Sequence, residues 1–446
     1  MSRKKLSGFP EYLPAERNVE RAVLDHLSRV FELHGFANIE TRAIEPLETL
    51  LRKGEIDKEV YAVQRLHAQA SDVAEMALHF DLTVPFARYV VENAGRLSFP
   101  FRRHQIQKVW RGERPQAGRF REFTQADIDV VGDGDLAFHF DVEVARVMAE
   151  ALGGLPVPGL SMTLQVSNRK VLEGCYLGLG IADPVAVMQL IDKIDKVPAE
   201  KMHALLTEHG LTEHQREVCL ALTQIVTTDT SFVGRVRELG VEHPLLDEGL
   251  AELEAVIAGC AGVTGVGVTA DLRIARGLDY YTGTVFETRI NGRESLGSVC
   301  SGGRYDTLAS DGKRTYPGVG ISLGVTRLLS LLFADGLTAT RSVPSAVLVA
   351  VNDESSRAAS DAVAQALRAR GIACEAAPTA AKFGKQIRFA ERRGIPFVWF
   401  PSDTGEDGPD EVKDIRTGEQ AAADPATWTP PTRDLRPQVT SSEEKQ

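Results

Sequence analysis

The sequence is short of cysteine and has no long apolar run. Its five cysteines, Cys175, Cys219, Cys260, Cys300 and Cys374, are scattered singly. An odd number with no Cys-x-x-Cys pair excludes a disulfide-stapled scaffold and suggests no structural zinc site, so a reducing, cytoplasmic setting fits. No stretch reaches the ~18 consecutive apolar residues of a membrane helix. The basic start, residues 1–10, lacks the apolar core of a signal peptide. No membrane partner is expected. Basic residues are also outnumbered, 51 Lys and Arg against 62 Asp and Glu, for a formal net charge of -11. That argues against a chain that coats nucleic acid indiscriminately and leaves room only for a local, selective surface.

What is present is ordinary globular material. The 446 residues are 43% hydrophobic and 25% charged, enough for two to four domains at about 100–200 residues each. Val19, Val23, Leu27, Val30 and Leu33 recur at helical spacing over residues 16–34, and Gly35 ends the run. A strand over 39–44, closed by Pro46, is expected next. Residues 107–113 and 119–132 alternate with period two around turn residues at 114–118, which predicts a long-looped antiparallel pair. Asn291-Gly292 marks a second hairpin between 285–290 and a short run ending at Cys300. Residues 166–268 have helical texture. After Pro344 the order is strand 346–351, helix 355–370, strand, helix 382–393 and strand 396–400, a small α/β domain. The polar end from about Asp434 reads as a disordered tail.

The segment Arg119-Phe-Arg-Glu-Phe-Thr-Gln-Ala-Asp-Ile-Asp129 is the most informative. In a strand Arg119, Arg121, Phe123, Gln125, Asp127 and Asp129 share one face, with Ala126, Ile128 and Val130 on the other. The preceding strand brings Arg111 and Glu113 onto the same floor. A solvated outer face is one reading of such a strand. The other is a ligand with a polyanionic end, a flat ring and a cationic or hydrogen-bonding end, since guanidinium clamps phosphate and aromatic faces stack on bases.

The flanking residues carry a resemblance. Arg111-Gly-Glu113 with Arg119-x-x-x-Phe123-x-x-x-Asp127 resembles motif 2 of the class II aminoacyl-tRNA synthetases. Gly318-Val-Gly-Ile-Ser-Leu-Gly-Val-Thr-Arg327 resembles motif 3, and the helix and strand that end at Pro46 resemble motif 1. Within that class, Arg276-Gly-Leu-Asp-Tyr-Tyr-Thr-Gly-Thr-Val-Phe-Glu287 and Cys300-Ser-Gly-Gly-Arg-Tyr-Asp306 are similar to the histidyl-tRNA synthetase family, and His79-Phe-Asp-Leu-Thr83 and Arg114-Pro-Gln116 agree. The likeness runs from about residue 8 to Gln420.

The resemblance implies an α+β fold: a class II antiparallel-sheet catalytic core over residues 1–165 and 269–340, a helical insertion over 166–268, a C-terminal α/β anticodon-binding domain over 345–430 and a tail over 431–446. It implies an ATP-dependent ligase that activates L-histidine and transfers it to tRNA(His), with Mg2+ beside ATP and a homodimer formed through motif 1. Arg111 and Arg276 are then the catalytic cations at the α-phosphate and carboxylate. Arg119 and Arg327 hold the outer phosphates, Phe123 stacks on adenine and Glu113 meets its edge. Asp81, Thr83 and Gln125 take the substrate ammonium. Asp129 and Tyr281 read the imidazole, and Tyr280 lines the pocket. Gln116 faces the acceptor stem. Lys382, Lys385, Arg388 and Arg392 form one helix stripe, which spacing alone reads as a solvated face; in this family the same place belongs to the anticodon reader. No residue is assigned to a resident metal. Thr326 stands where many relatives carry glutamate, and Asp81 is a methylene shorter than the glutamate of others. The alternative is a catalytically inactive regulatory paralogue. Such chains typically lose motif arginines or the terminal domain, and Arg111, Arg119, Arg276 and Arg327 are all present here.

Overall fold

The computed structural model describes residues 6–51, 59–67, 74–116, 118–194, 197–275, 280–402 and 408–441. Along the chain these form α1 (Pro14–Leu33), β1 (Ala37–Asn38), β2 (Ile44–Pro46), α2 (Leu47–Leu50), β3 (Ala62–Val63), β4 (Met76–Leu78) and α3 (Thr83–Asn93). Next come β5 (Phe101–Trp110), β6 (Glu122–Val131), α4 (His139–Gly153) and β7 (Met162–Asn168). A mainly helical stretch follows: α5 (Arg169–Gly178), α6 (Pro184–Ile191), α7 (Ala199–Glu208), α8 (Glu213–Thr223), β8 (Val226–Thr227), α9 (Phe232–Arg237) and α10 (Pro244–Gly259). The chain then returns through β9 (Gly267–Asp271), β10 (Thr284–Ile290), β11 (Cys300–Tyr305), β12 (Gly318–Gly324) and α11 (Val325–Ala334).

Among the described residues β1, β5, β6, β12, β11, β10, β7, β9 and β8 hydrogen-bond in that order into one nine-stranded sheet. Antiparallel pairs run from β5 to β7, with β6 against β12 in the register Gln125↔Gly324, Asp127↔Ser322 and Asp129↔Gly320. The apolar face of β6, Ala126, Ile128 and Val130, is fully buried, and α4 packs on β6, β7 and β12. Burying that face fixes the register, because a one-residue slip would turn Asp127 and Asp129 into the apolar layer. The opposite face of β6 is therefore polar and inward at once, which is the condition for a site.

The chain divides into two compact units, residues 1–10, 24–155 and 159–331 in one and residues 11–23, 156–158 and 332–446 in the other. The first holds the large sheet. The second contains β13 (Leu337–Ala339), β14 (Val347–Val349), α12 (Arg357–Ala369), β15 (Cys374–Ala376), α13 (Phe383–Arg393), β16 (Phe397–Phe400), β17 (Glu411–Asp414), β18 (Gln420–Ala422) and β19 (Val439–Ser441). Here β14 pairs in parallel with β15 and β16, and β17 and β18 extend the sheet antiparallel. Gly394 adopts φ 72° and closes α13 with the left-handed turn that glycine accommodates without strain.

Several sequence expectations are corrected. The strand foreseen over 39–44 is split, because β1 joins β5 while β2 pairs with β4 in a separate small sheet. In α1 the buried stripe ends on Phe31, and Leu33 is exposed. The long hairpin starts earlier, at Phe101, and residues 111–113 and 119–121 lie beyond its strands, although the N–H of Arg111 still donates to the carbonyl of Arg121 at 2.9 Å. In the second hairpin Cys300 begins the returning strand rather than ending it. Residues 434–441 of the expected tail are structured: β19 pairs with β13, and Asp434, nearly buried, bonds the Arg416 guanidinium at 2.8 and 2.9 Å. Residues 403–407 of the acidic loop lie outside the described residues.

Candidate active site

A cavity of about 300 Å³ opens on the polar face of the large sheet. Asp81, Thr83, Arg111, Glu113, Arg119, Phe123, Gln125, Tyr280, Tyr281 and Arg327 all line it. Those ten expected residues come from five separate parts of the chain. A smaller space of about 30 Å³ continues the floor and adds Asp127, Asp129 and Tyr305, sharing Thr83, Tyr280, Tyr281, Ser301 and Ser322 with the main cavity. Arg276 lies outside the described residues. Gln116 is exposed on the turn between β5 and β6, where it exchanges backbone hydrogen bonds with Arg119. Lys382, Lys385, Arg388 and Arg392 are all exposed along α13 in the other unit.

One end of the cavity is cationic. The Arg111 guanidinium lies 4.3 Å from the ring centre of Phe80 and 5.1 Å from that of Phe123, so two aromatic faces hold it. Glu113 faces both Arg111, at 3.9 Å, and Arg119, at 3.4 Å. Arg327 donates to the carbonyl of Leu296, and Gly118, at φ 70°, turns the chain against its side chain. Thr326 accepts the backbone N–H of Thr124 at 2.8 Å, a buried bond that ties the start of α11 to β6. Its hydroxyl thus serves as a structural tie there.

The other end is deep and acidic. Arg103, fully buried, places a guanidinium nitrogen 2.6 Å from Asp129, and the Tyr305 hydroxyl donates to the same carboxylate at 2.8 Å. Burial drives the Tyr281 and Tyr305 phenols well above their usual range, so both stay neutral donors. The segment carrying Tyr281, just ahead of β10, is fixed on both sides: Arg169 donates to the Tyr281 carbonyl at 2.8 Å, and the Thr282 N–H donates to the Arg304 carbonyl at 2.9 Å. Arg304 in turn bonds the buried Asp141 at 2.8 Å.

Two of these anchors escaped the sequence reading. Arg103 sits at an odd position in β5, as do Gln105 and Gln107, so the alternation that marks it begins six residues ahead of the strand expected from residue 107. Tyr305 belongs to a quoted motif, yet nothing local assigns its hydroxyl to Asp129.

The model of the family described as histidyl-tRNA synthetase matches residues 8–328, and that of the anticodon binding domain matches residues 345–425. The chain belongs to the histidyl-tRNA synthetase family. It is 59% identical over 450 residues to a histidine–tRNA ligase of Cutibacterium acnes, covering 98% of each chain. With a histidine–tRNA ligase of Micrococcus luteus it is 58% identical over the whole of both. The crystal structure of histidyl-tRNA synthetase from Nostoc sp. PCC 7120 superposes with a TM-score of 0.84 at 33% identity, over 95% of this chain and 97% of that one. Membership in the histidyl-tRNA synthetase family agrees with the α+β core and the separate C-terminal unit described above. Among the described residues no helix is long and apolar enough to cross a membrane.

Proposed function

We propose that this chain is a histidine–tRNA ligase that forms histidyl-adenylate from histidine and ATP and passes the histidyl group to the 3′ end of tRNA(His). One observation carries the reading: a cavity lined by arginines shares Thr83, Tyr280 and Tyr281 with a smaller adjoining space lined by a buried carboxylate, Asp129, and phenols. In the first step a histidine carboxylate oxygen attacks the α-phosphorus, the bond to the β-phosphate breaks and pyrophosphate leaves. Charge gathers on the transferring phosphoryl oxygens, so fixed cations accelerate the step. Arg111, with Arg276, serves there. Arg119 and Arg327 take the outer phosphates, Phe123 and Glu113 the adenine.

The imidazole end discriminates by hydrogen bonding. A neutral imidazole has one N–H donor and one bare nitrogen. Asp129, ion-paired with Arg103, accepts from the first, and the neutral Tyr281 phenol donates to the second. An amino acid lacking both groups leaves buried polar atoms unpaired, which gives large rejection without editing. Mg2+ enters with ATP. Its ligands are mostly the triphosphate oxygens and water.

Gln116 meets the acceptor stem. The basic stripe of α13 belongs to an anticodon-binding domain of about residues 345–430, with the core and insertion divided near 165, 268 and 340. A homodimer covers Ile44 and Met76, which stand exposed on the small sheet of β2, β4 and β3, and Leu66 beside it. The five cysteines are unpaired and buried, as suits the cytoplasm. The inactive-paralogue alternative is not favoured by full-length identity to ligases. Histidine-dependent ATP–pyrophosphate exchange, run against the other amino acids, tests the reading; absence of exchange with histidine from folded protein refutes it.

A further inference from the structure

Tyr281 stands just ahead of β10, outside its ladder with β7, which begins at Thr284↔Asn168. Its ring lies on the backbone of β11: a Cβ at Gly303 would come within 2.9 Å of both Cγ and Cδ1 of Tyr281. What aims the phenol is the peptide unit behind it. The Tyr281 carbonyl and the Thr282 N–H belong to one planar group, and both are bonded. The carbonyl accepts from Arg169 Nη1 at 2.8 Å, and the N–H donates to the Arg304 carbonyl at 2.9 Å. A planar unit held at both ends leaves the ψ of Tyr281 little freedom. The backbone N–H of Arg169 also donates to the Gly283 carbonyl at 2.9 Å, so one residue holds two carbonyls of this segment.

Arg169 is itself firmly mounted. It opens α5, where β7 passes into the helical stretch. The Asn168 side chain accepts the Lys170 N–H at 2.9 Å and donates to Glu252 of α10 at 2.8 Å. The Lys170 ammonium bonds Glu248 and Glu252 of the same helix at 2.7 and 2.5 Å. The two helices meet backbone to backbone: a Cβ at Gly249 would lie 2.5 Å from the Val171 nitrogen, and one at Gly174 would lie 2.3 Å from the Leu246 nitrogen. Glycine at both places permits that approach.

Arg169 lines neither the main cavity nor the smaller space that continues it, so any effect on the substrate passes through Tyr281. We propose that Arg169 is a positioning residue for imidazole recognition: by holding the Tyr281–Thr282 peptide unit it sets the Tyr281 phenol at the substrate ring. The α5–α10 pair is then the outer mount of the segment that reads histidine. This rests on the histidine-activation reading and adds to it a specificity determinant outside the pocket.

The test uses the full chain in histidine-dependent ATP–pyrophosphate exchange. Arg169→Met keeps the bulk and removes the donor. It should raise KM for histidine about 10-fold, the lower end of the range for one charged hydrogen bond because the bond acts at one remove. KM for ATP should stay within about twofold, since the Arg111 and Arg119 end is untouched. Arg169→Lys, which keeps a charged donor, should recover most of the loss. In a Tyr281→Phe background there is no phenol to aim, and Arg169→Met should then change the histidine KM by less than about twofold. Glu173→Gln removes the 3.6 Å ion pair of Arg169 but not its bond to Tyr281, and the histidine KM should stay within about twofold of wild type. Equal loss in the two backgrounds, a matching rise in KM for ATP, a loss confined to kcat, or an unchanged histidine KM overturns the proposal. If wild type itself shows no exchange, the ligase reading falls and this inference with it; if wild type exchanges and Arg169→Met matches it, only the present inference falls. Should Arg169→Met not fold, Arg169→Gln, a shorter and neutral donor, should raise the histidine KM about fivefold with KM for ATP unchanged, and a wild-type histidine KM overturns the proposal equally.

Discussion

Gly320 faces Asp129 across the β6–β12 ladder, and replacing it with alanine tests the imidazole end of the site. A Cβ at that position would lie 2.1 Å from Asp129 Oδ1 and 2.7 Å from the Ile128 carbonyl oxygen. Carbon–oxygen contacts normally begin at about 3.3 Å, so the carboxylate must retreat by roughly 1 Å. A shift of that size breaks the 2.6 Å approach of Arg103, the 2.8 Å bond from Tyr305, or both. Each bond to a charged group is worth about 1.5–3 kcal/mol, so Gly320→Ala should lower kcat/KM for histidine by about 100-fold or more. The KM for ATP should change little, because the Arg111 and Arg119 end is untouched. The assay is pyrophosphate exchange titrated separately in each substrate, alongside a thermal melt. Gly324→Ala on the same strand is the stability control: its Cβ would meet nothing closer than 3.4 Å, and its melting midpoint should stay near that of wild type. A Gly320→Ala enzyme with wild-type histidine KM would show that Asp129 is not held in place by these contacts, and the assignment of the imidazole end would fail.

Arg103→Met removes the cation from a fully buried pair and should cost about 3–5 kcal/mol in urea unfolding, part of it restored when Asp129→Asn is added; no loss would mean that the pair is not formed. Thr326→Val leaves the buried Thr124 N–H without its acceptor, for an expected loss of about 1–3 kcal/mol by the same measurement. Arg276→Ala should slow adenylate formation by two decades or more, about 3 kcal/mol, with single-turnover kinetics as the check; near-normal turnover would overturn its role. The folded carboxyl of Asp127, at about 7, lies above the ~3.9 of an unfolded aspartate. Its contribution to stability is therefore present below about pH 4 and lost as pH rises through about 7. The stability of Asp127→Asn relative to wild type should increase from pH 5 to pH 8, and a constant difference would refute the raised value.

The parts of this molecule that were legible in its sequence are those set by local period. The alternation through Gln125, Asp127 and Asp129 follows from strand geometry alone, and it put all three on the cavity side before any partner was known. The helices and strands after Pro344 were legible for the same reason, since each apolar run was long and each helix ended on glycine. What failed depended on a distant partner. Residues 39–44 read as one strand closed by Pro46, but β1, just ahead of them, follows β5 while β2 follows β4, and the sequence between them carries no sign of that parting. The polar residues after Asp434 read as disordered until β13 is seen to pair with β19 and Arg416 to meet Asp434. Arg103 looked like one more basic residue in Arg102-Arg103-His104, and only the register Arg103↔Asp129 turns it into a buried counter-ion. Asp127 shows the same division within one residue. Its place on the floor is a matter of period two, but which cation stands beside it depends on register: Arg103 is turned mainly to Asp129, at 2.6 Å against 3.8 Å to Asp127.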